Sequence, residues 1–383
     1  MSQQYPVPAP LKEFVNSNTM VVRSPGRINL IGEHTDYNNG FVLPAAIDKA
    51  VYVVIEKKEE PVYELFSTDF NESVTISANK VQPAFGHWST YILGVVAQYQ
   101  AKGWQVPGFR LAVYGDVPLG AGLSSSAAIE CATAFALNEL YGFGLNRRDL
   151  ALLAQKAEHE FAGVKCGIMD QFASVFGKKD HVIRLDCRSL DYEYFPLSLP
   201  DYEIVLLDTN VKHSLASSEY NVRRAQCEAG VAMIQKKYPQ VLSLRDATID
   251  MVRECIPGDD IIFLRCKYVV EETDRLVTGC EDLQRGDLAA FGQKMFRTHD
   301  GLSKEYGVSC PELDYLVDAV RNHPAVIGAR MMGGGFGGCT INIVRKEAVK
   351  ELVNSLADGY KKETGLELKH YEVNIEDGSS RIS

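Results

Sequence analysis

The stretch SPGRINLIGEHTDYNNG, residues 24–40, sets Arg27, Glu33, His34 and Asp36 inside an apolar run formed by Ile28, Leu30, Ile31, Phe41 and Val42. A surface loop carries such charges at little cost. A partly buried one must give each a partner, because an unpaired polar group taken out of water costs about 1–3 kcal/mol on mutational scales. The rest of the chain, or a ligand, must supply those partners. A second set lies in PLGAGLSSSAA, where strand-like text (Phe109 to Tyr114) leads through a glycine-rich loop into an alanine-rich helix. Gly120 and Gly122, interleaved with Ala121 and Leu123, let the backbone turn sharply and approach a ligand. Ser124, Ser125 and Ser126 fall where the helix begins and its N–H groups are free. That is an anion cradle made of backbone, and a serine hydroxyl beside it can ligate Mg²⁺. The plainer alternative is a serine N-cap on a buried helix.

Two carboxylates add to this chemistry. In DLALLAQKAEHEFAG, Ala151, Ala154, Glu158 and Phe161 fall on one helical stripe, so Glu158 sits among small and apolar side chains while Lys156 and Glu160 point elsewhere. An acid in that position asks for a counterion, and a metal near Ser126 would serve; the alternative is a helix-end residue reaching to solvent. In KCGIMDQFASVF, Asp170 opens a short helix soon after Gly167 and reads as its N-cap. A helix N-terminus holds a carboxylate ionised, so the same place suits a proton acceptor. Further on, ARMMGGGFGGCTINIV puts Gly333, Gly334, Gly335, Gly337 and Gly338 ahead of a strand. So much freedom costs roughly 0.5–1 kcal/mol per glycine relative to alanine in regular structure. It points to close backbone approach to a ligand or another segment, or to a tight bulge and turn. The serine loop lacks the lysine of a GxxxxGK[ST] phosphate loop and the spacing of a dinucleotide GxGxxG turn.

These groups need a scaffold that brings distant segments together. Strand text at Thr19–Arg23, Val51–Glu56, Phe109–Tyr114, Val182–Asp186, Glu203–Asp208 and Thr340–Val344 alternates with helices at 126–141, closed by Gly142, and 149–162, closed by Gly163. The alternation predicts an α/β (α+β) fold, mixed sheets packed with helices. The proline-flanked FPLSLPDY, Phe195 to Tyr202, predicts a division into domains 1–199 and 200–383. With 383 residues, 46% of them hydrophobic, the chain can fill two cores. A net charge of -10 disfavours nucleic acid and anionic membranes as partners, so a bound phosphate would be held locally. The start MSQQYPVPAPLKEFV has no leader pattern, and no apolar run approaches a membrane span. The nine cysteines lack CxxC or zinc spacing and read as reduced thiols of a cytoplasmic protein. No amphipathic repeat suggests an assembly surface, and a monomer is expected.

Together these motifs resemble the GHMP small-molecule kinases, and within them the galactokinases. GRINLIGEHTDYNNGFVLPAAID is similar to the galactokinase signature, PLGAGLSSSAA to the nucleotide-phosphate loop and GGGFGGCTINI to the third motif, with KCGIMDQF and KHSLASSEYNVRR matching as well. The resemblance implies two α/β domains with the active site in the cleft between them. It implies ATP-dependent phosphorylation of α-D-galactose at its C1 hydroxyl, with ATP and Mg²⁺. By the same resemblance Glu33, His34, Thr35 and Asp36 hold the sugar with Gly167 and Tyr220, and Asp170 takes the proton beside Arg27. Gly120, Ala121, Gly122, Leu123, Ser124, Ser125 and Ser126 cradle the ATP phosphates, Ser126 and Glu158 hold the metal, and Gly333–Gly338 support the loop and the sugar pocket. Lys212 stands where some relatives carry arginine. Trp88 and Tyr91 in HWSTYILG could line an adenine pocket, ordinary helix packing being the plainer reading.

Three other functions compete with this one. Another sugar 1-kinase, acting on N-acetylgalactosamine, arabinose or galacturonate, would differ only in a pocket wall. A sensor that binds galactose and ATP without turnover can carry a damaged phosphate loop, whereas Gly122 to Ala128 is intact. A nicotinamide-dependent oxidoreductase would leave the Glu-His-Thr-Asp cluster unexplained.

Overall fold

A computed structural model describes residues 5–211 and 216–383. Lys212 therefore lies outside the described residues. Each strand expected from β-branched and aromatic text is present; the last four are longer by one or two residues, while the first two run on to Met20–Asn29 and Pro44–Lys57. Among the described residues the strands form three sheets. The largest runs in the order Ser380–Arg381, Met20–Asn29, Pro44–Lys57, Phe109–Gly115, Val62–Ser67, Glu72–Ser77, with one parallel pairing, between 62–67 and 109–115. Met20–Asn29 is buried along its whole length, which explains its lack of polar alternation. It pairs in register with Pro44–Lys57, Val22 opposite Val53, until a shift between Pro25 and Arg27 breaks the ladder. A bulge there bends the strand and re-aims the next side chains.

Helices Ser89–Ala101, Ser125–Tyr141, Arg147–Ala157 and Met169–Phe176 pack together and on this sheet. A small sheet of Phe41–Val42, His181–Asp186 and Tyr192–Pro196 follows. The segment from Phe195 to Tyr202 then connects it to an antiparallel four-stranded sheet, ordered Val326–Met331, Cys339–Arg345, Tyr202–Asp208, Lys369–Val373. The helices of this second half include Ala216–Gln235, Ile261–Arg285 and Leu288–Asp300. One apolar cluster crosses between the halves, setting Leu276, Cys280 and Phe291 against the core that contains Ile28, Leu30 and Ile31. Each fully buried aliphatic contributes about 1.5–3 kcal/mol, so the segment 27–36 is anchored by its apolar residues. The chain end returns to the first half. Ile375 bridges Ile47, and Ser380–Arg381 pairs with Val22 and Arg23.

Candidate active site

Just past the bulge, the guanidinium of Arg27 forms two parallel bonds with Asp170, Nε to Oδ1 at 2.7 Å and Nη2 to Oδ2 at 2.9 Å. Its Nη1 donates to the carbonyl of Gly122, and the Ser124 hydroxyl donates to Asp170 Oδ2. One carboxylate thus joins the arginine to the phosphate-type loop. Planar two-point pairing fixes direction as well as charge. The N-cap reading of Asp170 is corrected here: Ile168 caps the Met169–Phe176 helix and Asp170 sits in its first turn, its carboxylate turned toward Arg27. Nor does serine cap the Ser125–Tyr141 helix. Ser124 precedes it in left-handed conformation, φ 59°, without a side-chain cap bond. Its backbone joins His34 (φ 63°) and Phe336 (φ 61°) in that region. Such strain costs on the order of 1–3 kcal/mol per residue and persists only where the surroundings enforce it, commonly at functional sites.

Beside this pair opens a cavity of about 260 Å³ lined from both halves of the chain, by Arg27, Glu33, His34, Asp36, Gly167 and Asp170 from one and Tyr220, Asn221, Gly333 and Gly334 from the other. Burial lowers the His34 pKa to about 4 against the pull of Glu33, leaving a neutral imidazole whose Nδ1 lies 2.8 Å from the Tyr37 hydroxyl. Asp36 is pushed up to about 7, chiefly by burial, opposed by the Tyr37 N–H and aided by the charges of Asp170 and Glu33. Tyr220 sets its ring 5.4 Å from that of His34. Thr35 departs from its expected place. It is fully buried, and its hydroxyl lies 2.8 Å from the Gly32 carbonyl and 2.5 Å from that of Phe41, so it shapes the loop from beneath. The sequence reading missed Arg330, fully buried, whose Nη2 meets Glu33 Oε1 at 3.0 Å. A charged residue inside strand text directly ahead of a glycine run was the available signal.

Gly120 and Gly122 adopt φ values of 78° and 75°, which only glycine takes readily. Ala121 and Leu123 bury their side chains, and the Leu123 carbonyl accepts the Arg27 N–H at 3.1 Å. The glycine run packs behind this loop: a Cβ at Gly338 would lie 3.7 Å from the Ala121 carbonyl oxygen. At the far end of the loop the Ser126 hydroxyl donates to Glu158 Oε1 at 2.9 Å. Glu158 is buried where the Arg147–Ala157 helix widens into a π-turn, Glu158–Ala162, a deviation common at functional sites. Its other oxygen accepts from Gln171 Nε2 at 2.6 Å and Cys166 Sγ at 3.3 Å. Burial, and then the charge of Asp170, raises the Glu158 pKa. Two hard oxygen donors beside an anion cradle fit Mg²⁺. Glu130, one turn after Ser126, was also missed; it is fully buried and shares Gln171 with Glu158. Trp88 and Tyr91 line a cavity of about 650 Å³ that reaches Ser125 and Ser126. The Trp88 indole also donates to Glu72 at 2.9 Å, and both rings pack against the main core, as the packing alternative expected.

Comparison with known proteins identifies the family to which the chain belongs. Residues 11–57 match the galactokinase galactose-binding signature, residues 90–178 the GHMP kinase N-terminal domain and residues 281–362 the GHMP kinase C-terminal region. The galactokinase of Thermotoga maritima is 43% identical over 363 residues, covering 95% of this chain and all of that protein. That of Roseiflexus sp. is 39% identical over 366 residues, 95% of this chain and 93% of its own. The crystal structure of Lactococcus lactis galactokinase complexed with galactose superposes with a TM-score of 0.91 at 33% identity, covering 95% of each chain. Methanococcus jannaschii mevalonate kinase, at 20% identity and a TM-score of 0.68 over 95% of this chain and all of that one, shares the fold. The part-buried bidentate pair at the meeting of the galactose-binding signature and the serine loop is thus set in the scaffold these proteins share, and the chain belongs to the galactokinases, within the GHMP kinase family.

Proposed function

We propose that the protein transfers the γ-phosphoryl group of ATP to the C1 hydroxyl of α-D-galactose, giving galactose 1-phosphate and ADP. The observation that carries this reading is the placement of Asp170, held by Arg27 and Ser124 between the cavity with Glu33, His34 and Asp36 and the loop Gly120–Ser126. In this mechanism Glu33, His34, Asp36 and Tyr220 orient the sugar, with Gly167 leaving the room they need. Asp170 accepts the C1 hydroxyl proton while Arg27 offsets charge growing on the transferring group, and the loop N–H groups hold the phosphates. Ser126 and Glu158 would hold Mg²⁺, which when bound neutralises phosphate charge. The adenine is assigned to the cavity of Trp88 and Tyr91. The two lobes divide near residue 200, with the last strand lent back to the first. A monomer is the working unit, and nine free thiols support a reducing cytoplasm.

ADP release with MgATP and a panel of galactose, N-acetylgalactosamine, arabinose, galacturonate and glucose tests the proposal. Fastest turnover on galactose with a 1-phosphate product is expected. Preference for another sugar would overturn the substrate, and saturable binding without turnover would favour a sensor. Gly167 provides a sharper check on the pocket. A Cβ there would stand 1.8 Å from Asp36 Oδ2. Gly167→Ala is therefore expected to raise the galactose KM about tenfold, the equivalent of 1.4 kcal/mol, with the ATP KM little changed. Equal losses for both substrates in steady-state kinetics would refute that local role.

A further inference from the structure

Glu33 is gripped from the other half of the chain. Arg330 is fully buried at the end of the Val326–Met331 strand, and its fork donates Nε to the Leu30 carbonyl at 2.7 Å, Nη1 to that of Met331 at 2.6 Å, and Nη2 both to the Asn29 carbonyl and to Glu33 Oε1. Glu33 Oε1 also accepts the Gly333 N–H at 2.8 Å. Oε1 is therefore saturated from within the protein, while among the described residues no donor reaches Oε2 of this cavity-lining carboxylate. Two of the carbonyls that Arg330 holds belong to the backbone leading into Glu33, so one guanidinium fixes both the path of the chain and the tilt of the carboxylate.

We propose that Arg330 is a positioning residue that presents Glu33 to the cavity as a one-sided acceptor, and thereby sets how strongly the enzyme rejects sugars lacking the hydroxyl that Glu33 receives. The inference deepens the galactose-kinase reading and rests on it. An ionised carboxylate offers no donor, and one held on its far side cannot turn away to another partner. A substrate missing the matching hydroxyl then leaves a desolvated acceptor unpaired, which is where strong discrimination comes from. Lysine in place of Arg330 keeps the charge but has a single ammonium in place of a planar fork, and cannot serve four acceptors in their present directions.

The test measures galactose, the monodeoxygalactoses and ATP as substrates of the unaltered protein, Arg330→Lys, Glu33→Gln and the double variant, with thermal unfolding and a crystal structure of Arg330→Lys. Arg330→Lys is expected to raise the galactose KM about tenfold, and to cut rejection of the most disfavoured deoxygalactose by about the same factor. The ATP KM stays within about twofold, and adding Arg330→Lys to Glu33→Gln has little further effect, as expected of coupled neighbours. A cooperatively folded Arg330→Lys with unchanged galactose KM and unchanged rejection overturns the proposal, as does a structure of it in which the Glu33 carboxylate keeps its place. Should Arg330→Lys fail to fold, unchanged rejection of every deoxygalactose by Glu33→Gln overturns it, and loss of that rejection supports it. Failure of the unaltered protein to phosphorylate galactose would sink the substrate assignment, and the position of Glu33 in the Arg330→Lys structure would then decide the positioning role.

Discussion

Asp170→Asn is expected to lower kcat by about 10²–10⁴-fold, the usual worth of a positioned general base. The galactose KM should move far less, because the sugar-orienting side chains stay in place. The substitution keeps size and shape, so the reason lies in the partners. Asp170 now accepts from Arg27 Nε, Arg27 Nη2 and Ser124 Oγ. An amide has one acceptor oxygen, and because Arg27 donates to both oxygens, in either orientation the NH₂ faces a guanidinium N–H, donor against donor, whereas the Ser124 hydroxyl can turn to accept. It also loses the negative charge opposite Arg27, whose side chain is only 6% exposed. Breaking a fully buried ion pair costs about 3–5 kcal/mol, and the 23% exposure of Asp170 reduces that. Unfolding must therefore be followed alongside kinetics, at a temperature where both proteins are folded. Turnover within about threefold of the unaltered rate in a folded Asp170→Asn would leave Asp170 only an orienting role, since that ratio corresponds to less than 1 kcal/mol in the barrier.

The residues around this pair show how far the amino-acid sequence could be read. Burial was legible because periodicity encodes it: the stripe of Ala151, Ala154 and Phe161 placed Glu158 inside, and all of them are buried. Partners were not, because a helical stripe says which side faces inward and nothing about what waits there. The Ser126 contact could be guessed only from the need for a counterion, while Glu130, Gln171 and Cys166 in the same network went unnoticed. The π-turn at Glu158 could not be foreseen, since a helix widened by one residue keeps helical composition. The N-cap alternative for Asp170 failed because capping preference is a local rule, and the bidentate arginine supplied by the Met20–Asn29 strand overrode it. Arg330 reaches Glu33 from 297 positions away in the chain, a pairing no local pattern records. The six strands were legible for the opposite reason: β-branched runs bounded by turn residues carry their own signal, whichever neighbour they pair with.

Asp36→Asn is expected to weaken galactose binding about 100-fold and at the same time to make the unliganded protein more stable above neutral pH. The first effect follows from losing a charged acceptor, worth about 1.5–3 kcal/mol per hydrogen bond. The second follows from the sign of the shift. Asp36 is held up at about 7 in the folded protein, mainly by burial, whereas an aspartate in the unfolded chain titrates near 3.8. A group raised in this way stabilises the fold fully below its unfolded pKa and loses that contribution as pH rises through about 7, so at pH 8 the ionised Asp36 is a net cost. Each pKa unit is about 1.36 kcal/mol, and allowing for the partial exposure of this side chain, Asp36→Asn should gain about 1–3 kcal/mol at pH 8 and almost nothing at pH 4. Binding carries the mirror image. If the sugar requires the carboxylate, its affinity falls about tenfold between pH 8 and pH 6 as Asp36 takes up a proton, and Asp36→Asn abolishes that slope. Thermal unfolding at the two extremes and galactose titration across the range measure both halves. An Asp36→Asn protein that is no more stable at pH 8 than the unaltered one would show that the carboxylate is better solvated than its surroundings imply. Stability that rose while the galactose slope persisted would move the titration to another group in the cavity. Both changes together would show a fold that keeps a costly charge in place for the ligand it receives.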